Sequence, residues 1–244
     1  MTENKFEKSR KGRRGNNILL ANGKIAEGIF STLLNLLILN QPRETSGLLR
    51  SKLVQVSLGI KRHSTMKQEI IISGFGGQGV LSMGKILAYA GLMEGKEVTW
   101  MPAYGPEQRG GTANVTVIVS DEKISSPILS KYDTAIVLNQ PSLDKFQPKV
   151  KVGGDIIYDS FGILDKPTRE DIEAYHIPAM ETAAEMKMMK CFNMFVLGGL
   201  LKIHPIVSLE SVMKALKKTL PERHHDLLPL NEQAILKGME IISK

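Results

Sequence analysis

From residue 69 onward the hydrophobic positions follow a succession of strand and helix patterns. Residues 69–73 form a short β-branched apolar run, typical of a strand that is buried on both faces of a parallel sheet. Over residues 80–91 the apolar side chains recur at helical spacing. A glycine-rich segment, residues 74–79, lies between the two patterns. The sequence therefore predicts a strand, a glycine loop and a helix in that order.

Later apolar runs predict four more strands. Residues 97–101 form the second, and residues 113–120 alternate in polarity as a third. The connection between these two shows no helical pattern and is too short for a helical crossover, so we expect an antiparallel third strand and a mixed sheet. Residues 134–139 and 155–159 predict the remaining two.

Helix signals dominate the C-terminal part of the chain. Pro141 predicts the first turn of a short helix between the last two strands, and Thr168 and Asp171 have the spacing of a capping box that opens another. Helical periods then cover residues 192–203, 208–220 and 230–243. The expected fold class is α/β, with a helical C-terminal third.

The N-terminal 65 residues follow a different pattern. Their longest apolar run, residues 29–39, contains Asn35 and is far shorter than the ~20 residues of a membrane-spanning helix. We therefore expect neither a membrane protein nor, because Lys24 and Glu27 interrupt the approach to that run, a secretory signal. The expected location is cytoplasmic.

The same segment carries the excess positive charge. Residues 1–65 hold 12 Lys and Arg against 4 Asp and Glu, a net +8, whereas residues 66–244 hold 20 against 21, a net −1. A nucleic-acid partner is therefore not expected for the domain, which we place at residues 66–244. The extension is a basic arm, a partner-docking helix or a dispensable segment, and we favour the last because the predicted domain starts directly after it, at Met66.

The glycine segment has the chemistry of an anion site. Its spacing matches G-x-G-x-x-G, and a glycine turn at a helix N-terminus offers backbone N–H groups and a partial positive charge to a phosphate. The alternative is a tight turn with no ligand. The candidate ligand contacts are Gly74, Gly76, Gly77, Gln78 and Gly79.

Two common uses of such a loop are not expected here. A P-loop requires Lys and Ser or Thr where this chain has Val80 and Leu81, so a nucleoside triphosphatase is excluded. A dinucleotide site places an acidic residue at the end of the second strand, where this chain has Met101 and Pro102. This difference argues against NAD or FAD.

A second glycine-rich loop follows the second strand at residues 104–111, Tyr-Gly-Pro-Glu-Gln-Arg-Gly-Gly. In a parallel arrangement its start lies at the same sheet edge as the first loop. Arg109 can then donate two hydrogen bonds to a phosphate or carboxylate. The alternative is an exposed ion pair between Glu107 and Arg109 that only shapes the loop.

With these two loops, and with Ser125-Ser126-Pro127 and Asn139-Gln140, the chain from Met66 onward resembles the gamma subunits of 2-oxoacid:ferredoxin oxidoreductases. Among them it looks most like those of the 2-oxoglutarate and branched-chain enzymes. The resemblance implies a Rossmann-like three-layer domain with a mixed, mostly parallel sheet. It also implies a role in coenzyme A binding and in closing the active site.

The resemblance further implies partners that carry the chemistry. These are alpha, thiamine-binding beta and ferredoxin-like subunits, with thiamine diphosphate and iron–sulfur clusters on the partners and ferredoxin as electron acceptor. The residues agree, because the chain has no Gly-Asp-Gly thiamine motif and one cysteine, Cys191. We therefore expect no catalytic residue in this chain. The alternative function is a regulatory module that binds a nucleotide or another small molecule.

The remaining sulfur and imidazole side chains do not predict a metal site. Five methionines surround Cys191 in a run without histidine, and we expect them to pack in the core or at a subunit interface. No metal-ligand set accompanies the histidines, and His176 and His204 are expected to be structural. The methionines are Met180, Met186, Met188, Met189 and Met194.

Overall fold

A computed structural model describes residues 65–105 and 111–244. The predicted extension, residues 1–65, lies almost entirely outside these ranges. The strands are β1 Lys67–Phe75, β2 Glu97–Tyr104, β3 Thr112–Ser120, β4 Tyr132–Val137, β5 Val150–Tyr158 and β6 Glu173–His176. The α-helices are α1 Val80–Met93, α2 Gln140–Phe146, α3 Ala179–Glu185, α4 Phe192–Ile203, α5 Leu209–Thr219 and α6 Leu228–Ile241.

The strands form one mixed sheet in the order β2-β3-β1-β4-β5-β6. Strands β1, β4, β5 and β6 pair in parallel, whereas β3 is antiparallel to both β1 and β2. Strand β2 therefore runs in the same direction as β1 but is separated from it by β3. The predicted mixed, mostly parallel sheet is confirmed.

Strand β1 supplies side chains to two cores, one on each face of the sheet. Ile70 and Ile72 pack with α1, α4, α5 and α6, whereas Ile71 packs with Leu143 and Phe146 of α2 on the opposite face. All three isoleucines are at most 1% exposed. This two-sided burial explains the continuous apolar run in the sequence, and it confirms three layers.

The helix predicted at Thr168 does not form. The Thr168 hydroxyl accepts a hydrogen bond from the side chain of Gln147, while both carboxylate oxygens of Asp171 accept hydrogen bonds from the guanidinium of Arg169. Neither side chain caps a helix, and the chain continues into β6, which pairs with β5. The capping-box spacing was misleading, because Thr168 and Asp171 bond to the side chains of Gln147 and Arg169 and not to N–H groups at the start of a helix.

Strand β2 is longer than predicted, since it continues through Pro102 to Tyr104. It pairs only with β3 among the described strands, so Pro102, which has no N–H to donate, is tolerated in this edge position. The predicted helix over residues 192–203 is confirmed at both ends. The sequence pattern did not predict β6 or α3, which have only four and seven residues.

Helices α4 and α6 approach each other through glycines. A Cβ atom on Gly198 would overlap the backbone carbonyl of Ile235, and one on Gly238 would overlap that of Phe195. The two positions therefore exclude every side chain, and they fix how α6 lies on α4. In the described ranges, no helix is long and apolar enough to cross a membrane.

Candidate functional site

The two glycine loops meet at one edge of the sheet. We call this the carboxyl edge: the ends of β1, β2, β4 and β5, together with the start of β3. The backbone N–H of Gly76 donates to the carbonyl of Gly111, over 2.9 Å. Strand register places Phe75 opposite Thr112 and Tyr104 opposite Ala113. The predicted meeting of the loops is therefore observed for their described residues.

The turn into α1 leaves backbone donors uncovered. Gly77 and Gly79 have φ values of +102° and +76°, a backbone conformation that favours glycine. Gly79 is the N-cap of α1, and no side chain caps the helix. Like the first N–H groups of any helix, those of residues 80–82 have no intrahelical partner, so they and the helix dipole face outward.

Not every predicted contact is free for a ligand. The Gln78 side chain accepts a hydrogen bond from the Phe75 N–H at 2.6 Å, and it donates one to the Leu138 carbonyl at 3.2 Å. A Cβ atom on Gly74 would lie 2.5 Å from the Gln78 Oε1 atom. Gly74 thus makes room for Gln78, and Gln78 ties the loop to the chain after β4. Both residues shape the loop from within, as the paired N–H of Gly76 also does.

Two cavities flank the start of α1. The larger, about 700 Å³, lies between the two glycine loops and includes Phe75 and Tyr104 in its wall. The smaller, about 420 Å³, lies between α1 and the start of α4. Gly77, Gly79 and Ser82 line both cavities. The donor-rich turn is therefore a ridge between two cavities.

Arg109, the remaining predicted contact, lies outside the described residues, as does Glu107. Gly111, two residues further along the chain, is described and lines the larger cavity. Tyr104, at the other end of the loop, is 69% exposed at that cavity. The described ends of the second loop therefore both border the larger cavity.

The motifs that follow β3 and β4 lie at opposite edges. Asn139 caps α2 by accepting the Ser142 N–H at the carboxyl edge, where Gln140 Oε1 accepts the N–H groups of Leu164 and Asp165. The Ser125-Ser126 segment instead lines a third cavity, beside the start of β1. Asn139 and Gln140 thus brace the loops around the site through their own contacts.

One buried carboxylate at the carboxyl edge was not predicted from the sequence. Asp159 is 2% exposed, and its two oxygens accept the N–H groups of Phe161 and Met180 at 3.0 and 2.9 Å. Burial raises the pKa of Asp159 above its ordinary value, against the effect of these two hydrogen bonds. The sequence signal that could have identified Asp159 was its position directly after the apolar strand β5.

The opposite end of the sheet, which we call the amino edge, is built from charge pairs. Glu69, 6% exposed, pairs with Lys67 and Lys151, and Lys151 also contacts Asp133. Burial alone would raise the pKa of Glu69, but the hydrogen bonds from Lys151 and Lys67 outweigh it and the pKa is lowered. Each charge of this network has an opposite partner.

The remaining sulfur and imidazole groups do not form a metal-ligand set in the part of the chain that the structure describes. In the described ranges no three His, Cys, Asp or Glu side chains lie close enough together to hold a metal ion. Cys191 is buried, and burial raises the pKa of its thiol. His204 Nε2 lies 2.6 Å from Asp155 Oδ2. Met194 is buried in the core, whereas Met189 is half exposed at the smaller cavity.

The sequence matches a family model described as pyruvate ferredoxin/flavodoxin oxidoreductase over residues 69–241. It is 37% identical over 184 residues to the 2-oxoglutarate synthase subunit KorC of Methanocaldococcus jannaschii, covering 74% of this chain and 97% of that protein. It is 44% identical over 132 residues to the ketoisovalerate oxidoreductase subunit VorA of Methanothermobacter marburgensis, covering 54% of this chain. That match spans 27% of the length of the VorA protein.

Two solved structures share the fold. One is the gamma subunit of a keto/oxoacid ferredoxin oxidoreductase from Geobacter sulfurreducens, with a TM-score of 0.62 and 29% identity over 72% of this chain and 96% of that one. The other is a 2-oxoglutarate:ferredoxin oxidoreductase from Magnetococcus marinus with 2-oxoglutarate, coenzyme A and succinyl-CoA bound. Its TM-score is 0.66 at 29% identity, over 72% of this chain and 31% of that one.

Proposed function

The chain belongs to the pyruvate ferredoxin/flavodoxin oxidoreductase family and is similar to its gamma subunits, and we propose that it serves as the gamma subunit of an enzyme that converts a 2-oxoacid to its acyl-CoA. In that enzyme this chain contributes to coenzyme A binding and closes the active site. Ferredoxin accepts the electrons. The observation that most supports this proposal is the turn into α1, which has no side-chain cap and lies between two cavities.

Coenzyme A suits this turn because its diphosphate is an anion flanked by two long arms. The N–H groups at the start of α1 and the helix dipole favour the diphosphate. Arg109 adds a charge-assisted donor from the second loop, whose end at Gly111 is bonded to Gly76. The Magnetococcus structure, which shares the fold, was solved with coenzyme A bound.

The reaction itself requires other subunits. When bound, thiamine diphosphate supplies the carbanion chemistry of decarboxylation, and iron–sulfur clusters carry the electrons. This chain has one cysteine, which is buried, so it cannot supply the thiolates that a cluster usually takes. We therefore assign the thiamine site and the clusters to alpha, beta and ferredoxin-like partners.

For the substrate we propose 2-oxoglutarate. The supporting relative is KorC, a 2-oxoglutarate synthase subunit whose length this chain covers almost completely. The VorA match has higher identity, but it covers about half of this chain and a quarter of VorA. Branched-chain 2-oxoacids are therefore the second substrates to assay.

The test is made on the enzyme co-purified from its native host. We expect turnover with 2-oxoglutarate to exceed that with 2-oxoisovalerate or pyruvate, and the isolated chain to be inactive with all three. Arg109→Ala should raise the apparent KM for coenzyme A by about one to two decades and leave the 2-oxoacid KM nearly unchanged.

Two other outcomes would contradict parts of this proposal. If Arg109→Ala raises the 2-oxoacid KM and leaves that for coenzyme A unchanged, the arginine binds the substrate carboxylate instead. If the chain co-purifies with no thiamine-binding or cluster-bearing subunit, its assignment to such an enzyme is wrong.

A further inference from the structure

Strand β2 lies at one edge of the sheet, where its outer side pairs with no strand that the structure describes. Edge strands of natural proteins are usually protected against pairing by short length, by charged side chains or by proline. Strand β2 has eight residues, and its stretch from Val98 to Tyr104 holds no charged side chain and a single proline, Pro102. This edge is therefore open to pairing with another strand.

The hydrogen bond between the two glycine loops determines which backbone groups of β2 point outward. In an antiparallel pair, two opposite residues exchange both backbone hydrogen bonds or exchange none. Because Gly76 donates to Gly111 in line with the β1–β3 register, every second residue of β3, counted from Gly111, bonds to β1. The β3 residues between them lie opposite Thr99, Met101 and Ala103 and bond to β2. The backbone groups that point away from β3 therefore belong to Val98, Trp100, Pro102 and Tyr104.

Large apolar side chains are exposed on both faces of β2. A Cβ atom on Gly91 of α1 would lie 2.9 Å from the Val98 side chain, so Val98 faces α1. Because side chains alternate between the faces of a strand, Trp100 and Tyr104 share this face, whereas Met101 lies on the other. Trp100 and Met101 are 40% and 37% exposed, and Tyr104 is more exposed than either. A strand paired with β2 would therefore bury apolar surface on both faces.

We propose that two copies of this chain pair through β2, antiparallel and related by a two-fold axis, so that their sheets form one continuous sheet. The strand is complementary to itself when Trp100 lies opposite Pro102 of the second copy. Val98 then lies opposite Tyr104, and the N–H groups of Val98, Trp100 and Tyr104 all donate to carbonyls of the other copy. A shift by two residues in either direction moves Val98 or Tyr104 past the end of the opposing strand and leaves its N–H unpaired.

The side chains in this register also fit a second copy. Glu97, the one charged residue of the strand, lies opposite Gly105 of the second copy, so no like charges meet. On the α1 face the Trp100 indole covers Pro102 of the second copy, and on the other face the two Met101 side chains meet at the axis. This pairing concerns the chain alone and does not depend on the proposed function.

Cysteine cross-linking of the full-length chain tests both the pairing and its register. The two Met101 residues form a non-hydrogen-bonded pair, whose Cα atoms are about 4.5 Å apart and within reach of a disulfide. Mild oxidation should therefore convert most Met101→Cys chains to a covalent dimer on a non-reducing gel. In the matched control, Ala103→Cys, the thiols lie on the same face but roughly 13 Å apart, so this variant should not cross-link. A mixture of Ala103→Cys and Thr99→Cys chains should cross-link, because these two positions lie opposite each other.

Sedimentation velocity measures the strength of the dimer. Trp100→Lys places a charge near the centre of the paired edge and should raise the dissociation constant of the dimer by at least about tenfold. Leu236→Lys adds the same charge at a similarly exposed apolar position on α6 and should leave the constant unchanged. Melting curves verify that both variants are folded, and Met101→Lys replaces Trp100→Lys if that variant is not.

The proposal is wrong if the wild-type chain sediments as a monomer throughout the micromolar range, or if Met101→Cys cross-links no more than the wild type, whose one cysteine is buried. It is also wrong if Ala103→Cys cross-links as efficiently as Met101→Cys, since the contact then lacks this register. In the co-purified enzyme, a Met101→Cys thiol that resists alkylation without cross-linking would show that another subunit covers β2 instead. None of these results bears on coenzyme A binding, so the proposed function is tested separately.

Discussion

The buried carboxylates at the two edges of the sheet have different partners, and their pKa values are shifted in opposite directions. At the amino edge, Glu69 is paired with lysines, and its pKa is lowered. At the carboxyl edge, Asp159 is held by backbone N–H groups, and burial raises its pKa. The turn into α1, also at the carboxyl edge, has no side-chain cap. At the amino edge each charge of the network is paired with an opposite charge. At the carboxyl edge the N–H groups at the start of α1 have no side-chain cap and can donate to a ligand.

Glycines at the two ends of α1 give the sharpest test of this comparison. Gly79 and Gly95 have φ values of +76° and +75°, so alanine costs similar backbone strain at each, about 1–2 kcal/mol. A Cβ atom on Gly79 would also lie 2.5 Å from Asn193 Nδ2, whereas one on Gly95 meets nothing within 4 Å. Gly79→Ala should therefore raise the coenzyme A KM by about a hundredfold, and Gly95→Ala should not. Steady-state kinetics with melting curves measure both effects, and equal KM values would remove the functional distinction between the ends.

At the amino edge the expected effect is on stability and not on ligand binding. Glu69→Gln should lower the free energy of unfolding by about 1–3 kcal/mol at pH 7, since it leaves Lys67 unpaired and weakens the pairing of Lys151. A lowered native pKa stabilises the fold above the pKa of the unfolded chain, about 4.3, and this contribution is lost as the pH falls through the native value. The difference between wild type and variant should therefore shrink below about pH 4 in urea denaturation.

The matched control is the exposed pair of Glu210 with Lys214 on α5. Glu210→Gln removes the same charge from a solvent-exposed position and should change stability little. If both variants behave alike, the amino-edge network does not differ from ordinary surface charges.

A smaller gain in stability is expected near the carboxyl edge. Lys187, after α3, has a φ of 55°, the only positive value at a non-glycine residue in the described ranges. Its N–H bonds the Ala184 carbonyl and that of Met188 bonds Ala183, a helix ending in which glycine is usual. Lys187→Gly should raise the free energy of unfolding by about 0.5–1 kcal/mol, measured by chemical denaturation. A loss of stability would show that the lysine side chain contributes more than its backbone costs.

The smallest effect is expected from the N-terminal extension. We propose that deleting residues 1–65 leaves the melting temperature and subunit assembly unchanged, because the compact unit that contains both edges begins at Ser64. Thermal denaturation and co-purification with the partners measure this. A large loss in either would assign the extension a role in the domain.

The sequence was most informative where burial is continuous. Ile70 to Ile72 and the helix at residues 192–203 have dense apolar patterns, and both elements were placed correctly. Strand β6 was not predicted, because its four residues are only partly buried or exposed and its stability comes from pairing with β5. The end of β2 was misplaced because Pro102 is compatible with a strand only at a sheet edge.

The candidate site was predictable in its backbone but not in its side chains. Glycines before a helix gave the turn, because positive φ values there depend on local chemistry. The inward role of Gln78 depends on Leu138, 60 residues away, and the place of Asn193 depends on Gly79, 114 residues away. Such contacts follow from the assembled fold and leave no periodic trace in the sequence.

The reversed strand β3 acts as a spacer. Neighbouring strands lie about 4.8 Å apart, so inserting β3 between β1 and β2 separates Phe75 from Tyr104 by roughly 9–10 Å. A sheet with β2 directly beside β1 would halve that gap. The strand order therefore sets how far apart Phe75 and Tyr104 stand in the wall of the larger cavity, whereas the loops themselves touch where Gly76 bonds to Gly111.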